Sequence, residues 1–318
     1  MSASKGAFLV PSDLPKQFDV YPFIATERFA GKLKGKIVVV VGASTGIGKA
    51  TALAFAAAGA SLALVARRKT LLDELVAEIE YRYQSPATAI QADIVNEDTP
   101  RKIISETESN LGGQIDILIN NAAQHLFGRF HDLDFSTWWS RMETSFKAPL
   151  AITHTVLREV MIPRKSGIII NITSTSGAHD IPFQTAYSIP KTAMLKLHQN
   201  LSWELEPYNI LTFSVHPGNV MTEMVQDTGK QSQEYFAGLP KEAMTEKVAG
   251  MFGRYQGIEW QKPELAANTI VTLCSEERCK VLDGRYVDSE QDLEKVLQAA
   301  ESGRVEKERL YYLKVDQV

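Results

Sequence analysis

The segment "KIVVVVGASTGIGKATALAFAAAG", Lys36 to Gly59, restricts the fold more than any other part of the chain. It begins with an unbroken β-branched run, the pattern of a strand covered on both faces rather than one alternating between core and water. The run passes directly into a glycine-rich turn, and the turn opens an alanine-rich helix ended by Gly59. A strand buried on both faces needs helices above and below it, so a parallel sheet follows if the alternation repeats. It does repeat. "SLALVA" reads as strand two, "LLDELVAEIEYRY" as a helix and "TAIQAD" as strand three. A helix then runs from an Asp98 or Thr99 cap, with Pro100 in its first turn, to about Leu111, and "IDILIN" is strand four. The second half continues with "SGIIINI" as strand five, a helix near Tyr187 to Leu205, "ILTFSV" as strand six, "PELAANTIVTLCS" as a helix and "GRYVD" as a last short strand. Right-handed crossovers make this an α/β, doubly wound, Rossmann-like parallel sheet, with ligands at the carboxyl ends of the strands.

The expected organisation is a single dinucleotide-binding and catalytic domain over residues 36–288, preceded by a proline-punctuated arm (1–35) and followed by a charged helical tail (289–318). The tail reads as a solvated surface element or an intersubunit arm. Residues of about 223–262 break the strand-helix rhythm. Their interspersed Met, Phe, Tyr and Trp favour a lid after strand six, with short helical stretches such as "KEAMTEKVAGMF". With 44% hydrophobic and 23% charged residues, the 318-residue chain has globular composition. The net charge is -4 and there is no long run of lysine and arginine, which argues against nucleic acid as a partner. No window approaches the roughly 18 apolar residues of a membrane span, and the N-terminus lacks a basic start with an apolar core, so a soluble, cytoplasmic protein is expected. Cys274 and Cys279 fit neither a redox pair nor a zinc knuckle and read as reduced thiols. The six histidines show no metal-ligand spacing, so no metal is expected.

The turn "GASTGIG", Gly42 to Gly48, has the composition of a phosphate cradle: Gly42, Ser44, Thr45, Gly46, Ile47 and Gly48 bring backbone N–H groups to the positive end of a helix. At the end of strand two, an acid for the ribose hydroxyls of NAD would stand where this chain has Ala66, followed by Arg67 and Arg68. A guanidinium binds a 2'-phosphate that a carboxylate would repel, so NADP(H) is the expected cofactor, with Arg67 the stronger candidate.

The loop spacing G-x-x-x-G-x-G resembles that of the short-chain dehydrogenase/reductase family, with Val41 in place of the family's usual threonine. "NITS" ending at Ser174, with Tyr187 thirteen residues on and Lys191 four beyond that, resembles the family's S-x12-Y-x3-K active site. Four residues along a helix place Tyr187 and Lys191 on one face. The resemblance implies that Tyr187 is the acid/base, that Lys191 lowers its pKa and holds the nicotinamide ribose, and that Ser174 hydrogen-bonds the substrate oxygen. It further implies that Asp93 lies beside the adenine, that Asn121 in "NNAA" supports the cofactor, and that in "HPGNVMT" Thr222 and the backbone near Val220 contact the carboxamide, with Pro217 beside them in the cofactor site. Ala123 replaces a family glycine. Ser145 aligns with the family's fourth catalytic residue, an asparagine that holds a water in a proton relay. The activity implied is NADP(H)-dependent interconversion of a ketone or aldehyde with an alcohol, by a homodimer or homotetramer acting on a small-molecule substrate. The alternative, motivated by Ser145 and Ala123, is a cofactor-binding scaffold turned to isomerisation, cyclisation or regulatory binding.

Overall fold

The structure, a computed structural model, describes residues 13–240, 245–246 and 259–313. Seven strands form one parallel sheet: β1 (Ile37–Val41), β2 (Ser61–Ala66), β3 (Ala87–Gln91), β4 (Ile117–Asn120), β5 (Gly167–Ile172), β6 (Ile210–His216) and β7 (Tyr286–Asp288). Their order is β3-β2-β1-β4-β5-β6-β7, so the winding reverses between β1 and β4, where a crevice opens at the carboxyl ends. The principal helices are α1 (Gly46–Ala57), α2 (Lys69–Tyr83), α3 (Thr99–Leu111), α4 (Phe135–Met142), α5 (Ala148–Val156), α6 (Thr185–Leu205), α7 (Glu223–Ala237), α8 (Pro263–Ser275) and α9 (Leu293–Glu301).

The doubly buried strands explain the two-sided core. Successive side chains point to opposite faces of a strand. Val38 and Val40 of β1 therefore join Leu62, Leu64, Ile117 and Ile119 in the layer closed by α1 and α8, while Val39 and Val41 join Val65, Leu118 and Ile169 in the layer closed by α3 and α5. The alanines of α1 let that helix approach closely, and Ala52 and Phe55 are fully buried beneath it.

Two features differ from the sequence expectation. β3 ends at Gln91, and Asp93 lies in the loop that follows, where its backbone oxygen accepts from Thr99 Oγ1 at 2.7 Å. The tail is packed, not solvated. Leu293, Val296, Leu297 and Ala300 repeat at helical spacing along α9 and are buried in the main core, a pattern that the flanking charges obscured in the sequence. The arm closes over the tail: Asp292 N–H donates to the Pro15 oxygen, Leu293 N–H to the Tyr21 hydroxyl at 2.7 Å, and Arg304 grips both oxygens of Asp13. Of the expected lid, α7 is present as a helix, and "KEAMTEKVAGMF" falls largely outside the described residues. Cys274 and Cys279 are free thiols. Among the described residues, no helix is long and apolar enough to cross a membrane.

Candidate active site

The carboxyl ends of the strands surround a cavity of about 670 Å³. Gly42, Ser44, Thr45, Gly46 and Ile47 line one end of it. Gly42 has φ +84, and a Cβ there would stand 2.8 Å from Ala122 N, so the turn requires glycine. Gly48 lies behind the loop; its Cβ would fall 2.1 Å from Gly42 O, which makes it the residue that lets α1 pack against β1. Thr45 caps α1 without a side-chain hydrogen bond to the helix. The first-turn N–H groups keep their positive field toward the cavity, the arrangement that holds a phosphate. Asn121 Nδ2 donates to Gly42 O at 2.9 Å and ties the end of β4 to this turn.

Arg67, Arg68 and Asp93 line the same end. Arg68, rather than Arg67, reaches over the turn: its Nη2 donates to Ser44 Oγ (3.1 Å) and Thr45 Oγ1 (2.9 Å), and its Nη1 pairs with Glu223 of α7 at 2.9 Å. Pro217 and Thr222 reach the cavity wall, and Thr222 Oγ1 caps α7 by accepting from Val225 N–H. Val220 is buried beside this wall and bridges to Gln261.

At the other end, Tyr187 stands in the first turn of α6 with Lys191 one turn on, and both line the cavity. The Tyr187 hydroxyl hydrogen-bonds Ser174, whose oxygen also accepts from Ser176 N–H at 3.2 Å. Lys191 Nζ donates to Ile172 O at 2.6 Å and lies 5.4 Å from the Tyr187 ring centre. Desolvation dominates the electrostatics: it pushes Tyr187 up to about 12, against the Ser174 hydrogen bond, and Lys191 down to about 8. Beneath them, Asn120 Nδ2 donates to Asn171 Oδ1 (2.8 Å) and Thr153 Oγ1 (2.9 Å), a buried polar ladder that fixes the end of β5.

Ser145 is placed apart from Tyr187 and Lys191. It sits in a π-helical turn, Glu143–Lys147, between α4 and α5 and is 3% exposed. Its hydroxyl accepts from Gln124 N–H (3.0 Å) and donates to Gln124 O (3.3 Å), binding the loop after β4 instead of facing the cavity. An amide at this position has the acceptor and donor to make both bonds. Ser145→Asn is therefore expected to fold and turn over at least as well as the native chain. Ser145→Ala strands the Gln124 N–H and is expected to cost about 1 kcal/mol or more in a denaturant titration. Equal stability of the alanine variant would show that the tether is dispensable.

His125, one of the six histidines without metal-ligand spacing, also belongs to the site. Its ring centre lies 4.9 Å from that of Tyr187, it lines the cavity, and desolvation lowers its pKa despite a hydrogen bond with Gln184. Its place four residues after Asn121 was the available signal. In and beside the expected lid segment, Met224 lines the cavity and Phe236 packs on Phe127 and Phe183, while Met221 and Trp260 are exposed; Met251 and Phe252 lie outside the described residues.

Known proteins share this framework. The chain is 39% identical to a short chain dehydrogenase of Pseudocercospora fijiensis over 96% of its length and 97% of that protein's. It is 32% identical to a 3-oxoacyl-[acyl-carrier-protein] reductase of Synechocystis, covering 69% of this chain and 87% of the other. A solved short chain dehydrogenase from Burkholderia cenocepacia in complex with NADP superposes with a TM-score of 0.66 at 25% identity, covering 81% of this chain and 97% of that one. A short-chain type dehydrogenase/reductase from Mycobacterium marinum gives 0.68 at 26% identity, over 83% and 97%. The short chain dehydrogenase family model matches residues 36–233, the stretch that carries the glycine turn and the Ser174, Tyr187 and Lys191 cluster. With a doubly wound sheet, a cavity at its switch point and these matches over most of its length, the chain belongs to the short-chain dehydrogenase family of oxidoreductases.

Proposed function

We propose that the protein is an NADP(H)-dependent oxidoreductase that interconverts a ketone or aldehyde with its alcohol, using Ser174, Tyr187 and Lys191. The observation that carries this reading is the Tyr187 hydroxyl hydrogen-bonded to Ser174, with Lys191 one turn away, at the wall of a cavity whose far end is a glycine turn flanked by two arginines. Gly42 to Ile47 would hold the pyrophosphate, Arg67 and Arg68 the 2'-phosphate, and Lys191 the nicotinamide ribose. When bound, the nicotinamide cofactor supplies or accepts the hydride.

The chain's own residues manage the proton. In reduction Ser174 holds the carbonyl oxygen, and Tyr187 gives its proton to that oxygen as negative charge develops. Lys191, an ammonium beside the ring, stabilises the phenolate left behind. In oxidation the same hydroxyl must first lose its proton. The sequence similarity to a 3-oxoacyl-[acyl-carrier-protein] reductase makes 3-oxo esters and thioesters the first substrates to try. NADPH consumption on adding such a carbonyl panel supports the reading; a folded, NADPH-binding protein that consumes none with any member overturns it.

The pH dependence has a definite sign. A hydroxyl raised to about 12 is protonated at neutral pH and ready to donate, whereas oxidation needs its ionised form. Between about pH 6 and about pH 7, below the range in which Lys191 loses its proton, reduction is expected to stay nearly level while alcohol oxidation rises with pH. Initial rates in both directions across this range check it, and oxidation that falls with rising pH contradicts the assignment of Tyr187.

A further inference from the structure

We propose that His216, Asp288 and Glu290 form a binding site for one divalent first-row transition-metal ion, of the zinc or manganese class, beneath the loop that follows β6. One ligand atom from each residue lies within 4.8 Å of the other two. Sheet topology makes the group: His216 ends β6, Asp288 ends β7, the two are register partners, and Glu290 follows two residues later. No spacing along the chain marks the group, because the histidine and the acids meet only across strands. None of the three residues belongs to the Ser174, Tyr187 and Lys191 cluster.

The imidazole of His216 is 3% exposed, and its Nδ1 is buried with no hydrogen-bond partner. The neighbouring Ser289 Oγ is buried and unpartnered too. Buried polar atoms are seldom left this way unless a water or an ion completes them. Asp288 uses one oxygen to accept from Glu290 N–H at 2.9 Å. Glu290 takes a 3.3 Å hydrogen bond from Asn219 Nδ2, and its ion pair with Lys16 is long at 3.9 Å, with the lysine side chain mostly in solvent. The charged or titratable groups acting on the cluster from outside include Lys16, on the arm, His179, exposed after β5, and the buried Tyr286 and Tyr311.

One neutral imidazole and two carboxylates suit a borderline ion and not an all-oxygen calcium or magnesium cage. Donors around a tetrahedral zinc ion stand about 3.3 Å apart, so the three side chains need close in by only about 1.5 Å, with water as the fourth ligand. The ion would tie the ends of β6 and β7 together. Through Asn219, on the loop that carries Pro217 and Thr222, it would also steady one wall of the cofactor cavity.

The test uses the full-length, tag-free chain after chelator treatment, titrated calorimetrically with zinc and separately with manganese, with the electron paramagnetic resonance of bound manganese as a second readout. One equivalent is expected to bind, and Asp288→Asn and His216→Ala are each expected to weaken it by about 100-fold or more. The native melting temperature should rise with zinc concentration while that of Asp288→Asn does not. If His216→Ala fails to fold, Asp288→Asn and Glu290→Gln, which keep their shape, decide the matter. Absence of saturable binding up to about millimolar metal, or binding undiminished in the carboxylate variants, overturns the site.

Discussion

Replacing Tyr187 with phenylalanine is expected to reduce carbonyl turnover by about a thousandfold or more while leaving NADPH affinity within about twofold. The substitution removes one oxygen from a side chain whose ring sits against His125 and near Lys191 in the cavity wall, so the packing survives. What is lost is the proton donor and the Ser174 hydrogen bond. No other group is placed to replace it. Lys191 directs its ammonium to Ile172 O, and His125 is held toward its neutral form by desolvation. Stopped-flow NADPH oxidation measures turnover and fluorescence titration measures binding. The split between them separates a chemical role from a structural one, because a collapsed site would lose both. Turnover close to native in Tyr187→Phe removes the proposed mechanism, and a parallel loss of NADPH binding would make the role of Tyr187 structural.

The fold was legible because its strands are buried on both faces. Val38 to Val41 have no polar alternation to confuse with an edge strand, and Gly42 to Gly48 mark a turn whose positive φ and close backbone contacts require glycine. The Ser174, Tyr187 and Lys191 group was legible for the same kind of reason. It spans one strand end, one loop and one helical turn, so spacing along the chain translates into proximity. Contacts made across the sheet or between distant segments left no such trace. Nothing in "RMETSFK" reveals that Ser145 turns its hydroxyl onto the Gln124 backbone, since that depends on the π-helical turn. The arm and tail misled for a different reason. Their charges are real, as in the Arg304 and Asp13 pair, yet they rim an apolar seam that needs both termini to be seen. His216 and Asp288 are the extreme case, neighbours in the sheet with most of a fold unit between them in sequence.

The choice of cofactor turns on the end of β2, and the double variant Arg67→Ala with Arg68→Ala is expected to weaken NADPH by about 100-fold and NADH by no more than about threefold. Hydrogen bonds from a guanidinium to a phosphate are charge-assisted, and losing two of them reaches that size even after solvent screening. The structure divides the labour between the two residues. Arg68 already spans Ser44 and Thr45, so it holds the turn as well as facing the cavity, while Arg67 lines the cavity with its guanidinium uncommitted to that turn. Arg67→Ala alone should therefore act mainly on NADPH, and Arg68→Ala should also loosen the loop and affect both cofactors slightly. Glu223 complicates the balance, because its carboxylate pairs with Arg68 at 2.9 Å and would repel a 2'-phosphate arriving there. Both partners are about half exposed, so the pair itself is weak, and a doubly charged phosphate outcompetes a single carboxylate for the same guanidinium. It follows that Glu223→Gln should tighten NADPH by a few-fold with little change for NADH. Equal losses of both cofactors in the double arginine variant would instead place these side chains in loop stability, and would leave Glu223 free to accept the ribose hydroxyls of NAD in the place where Ala66 offers nothing.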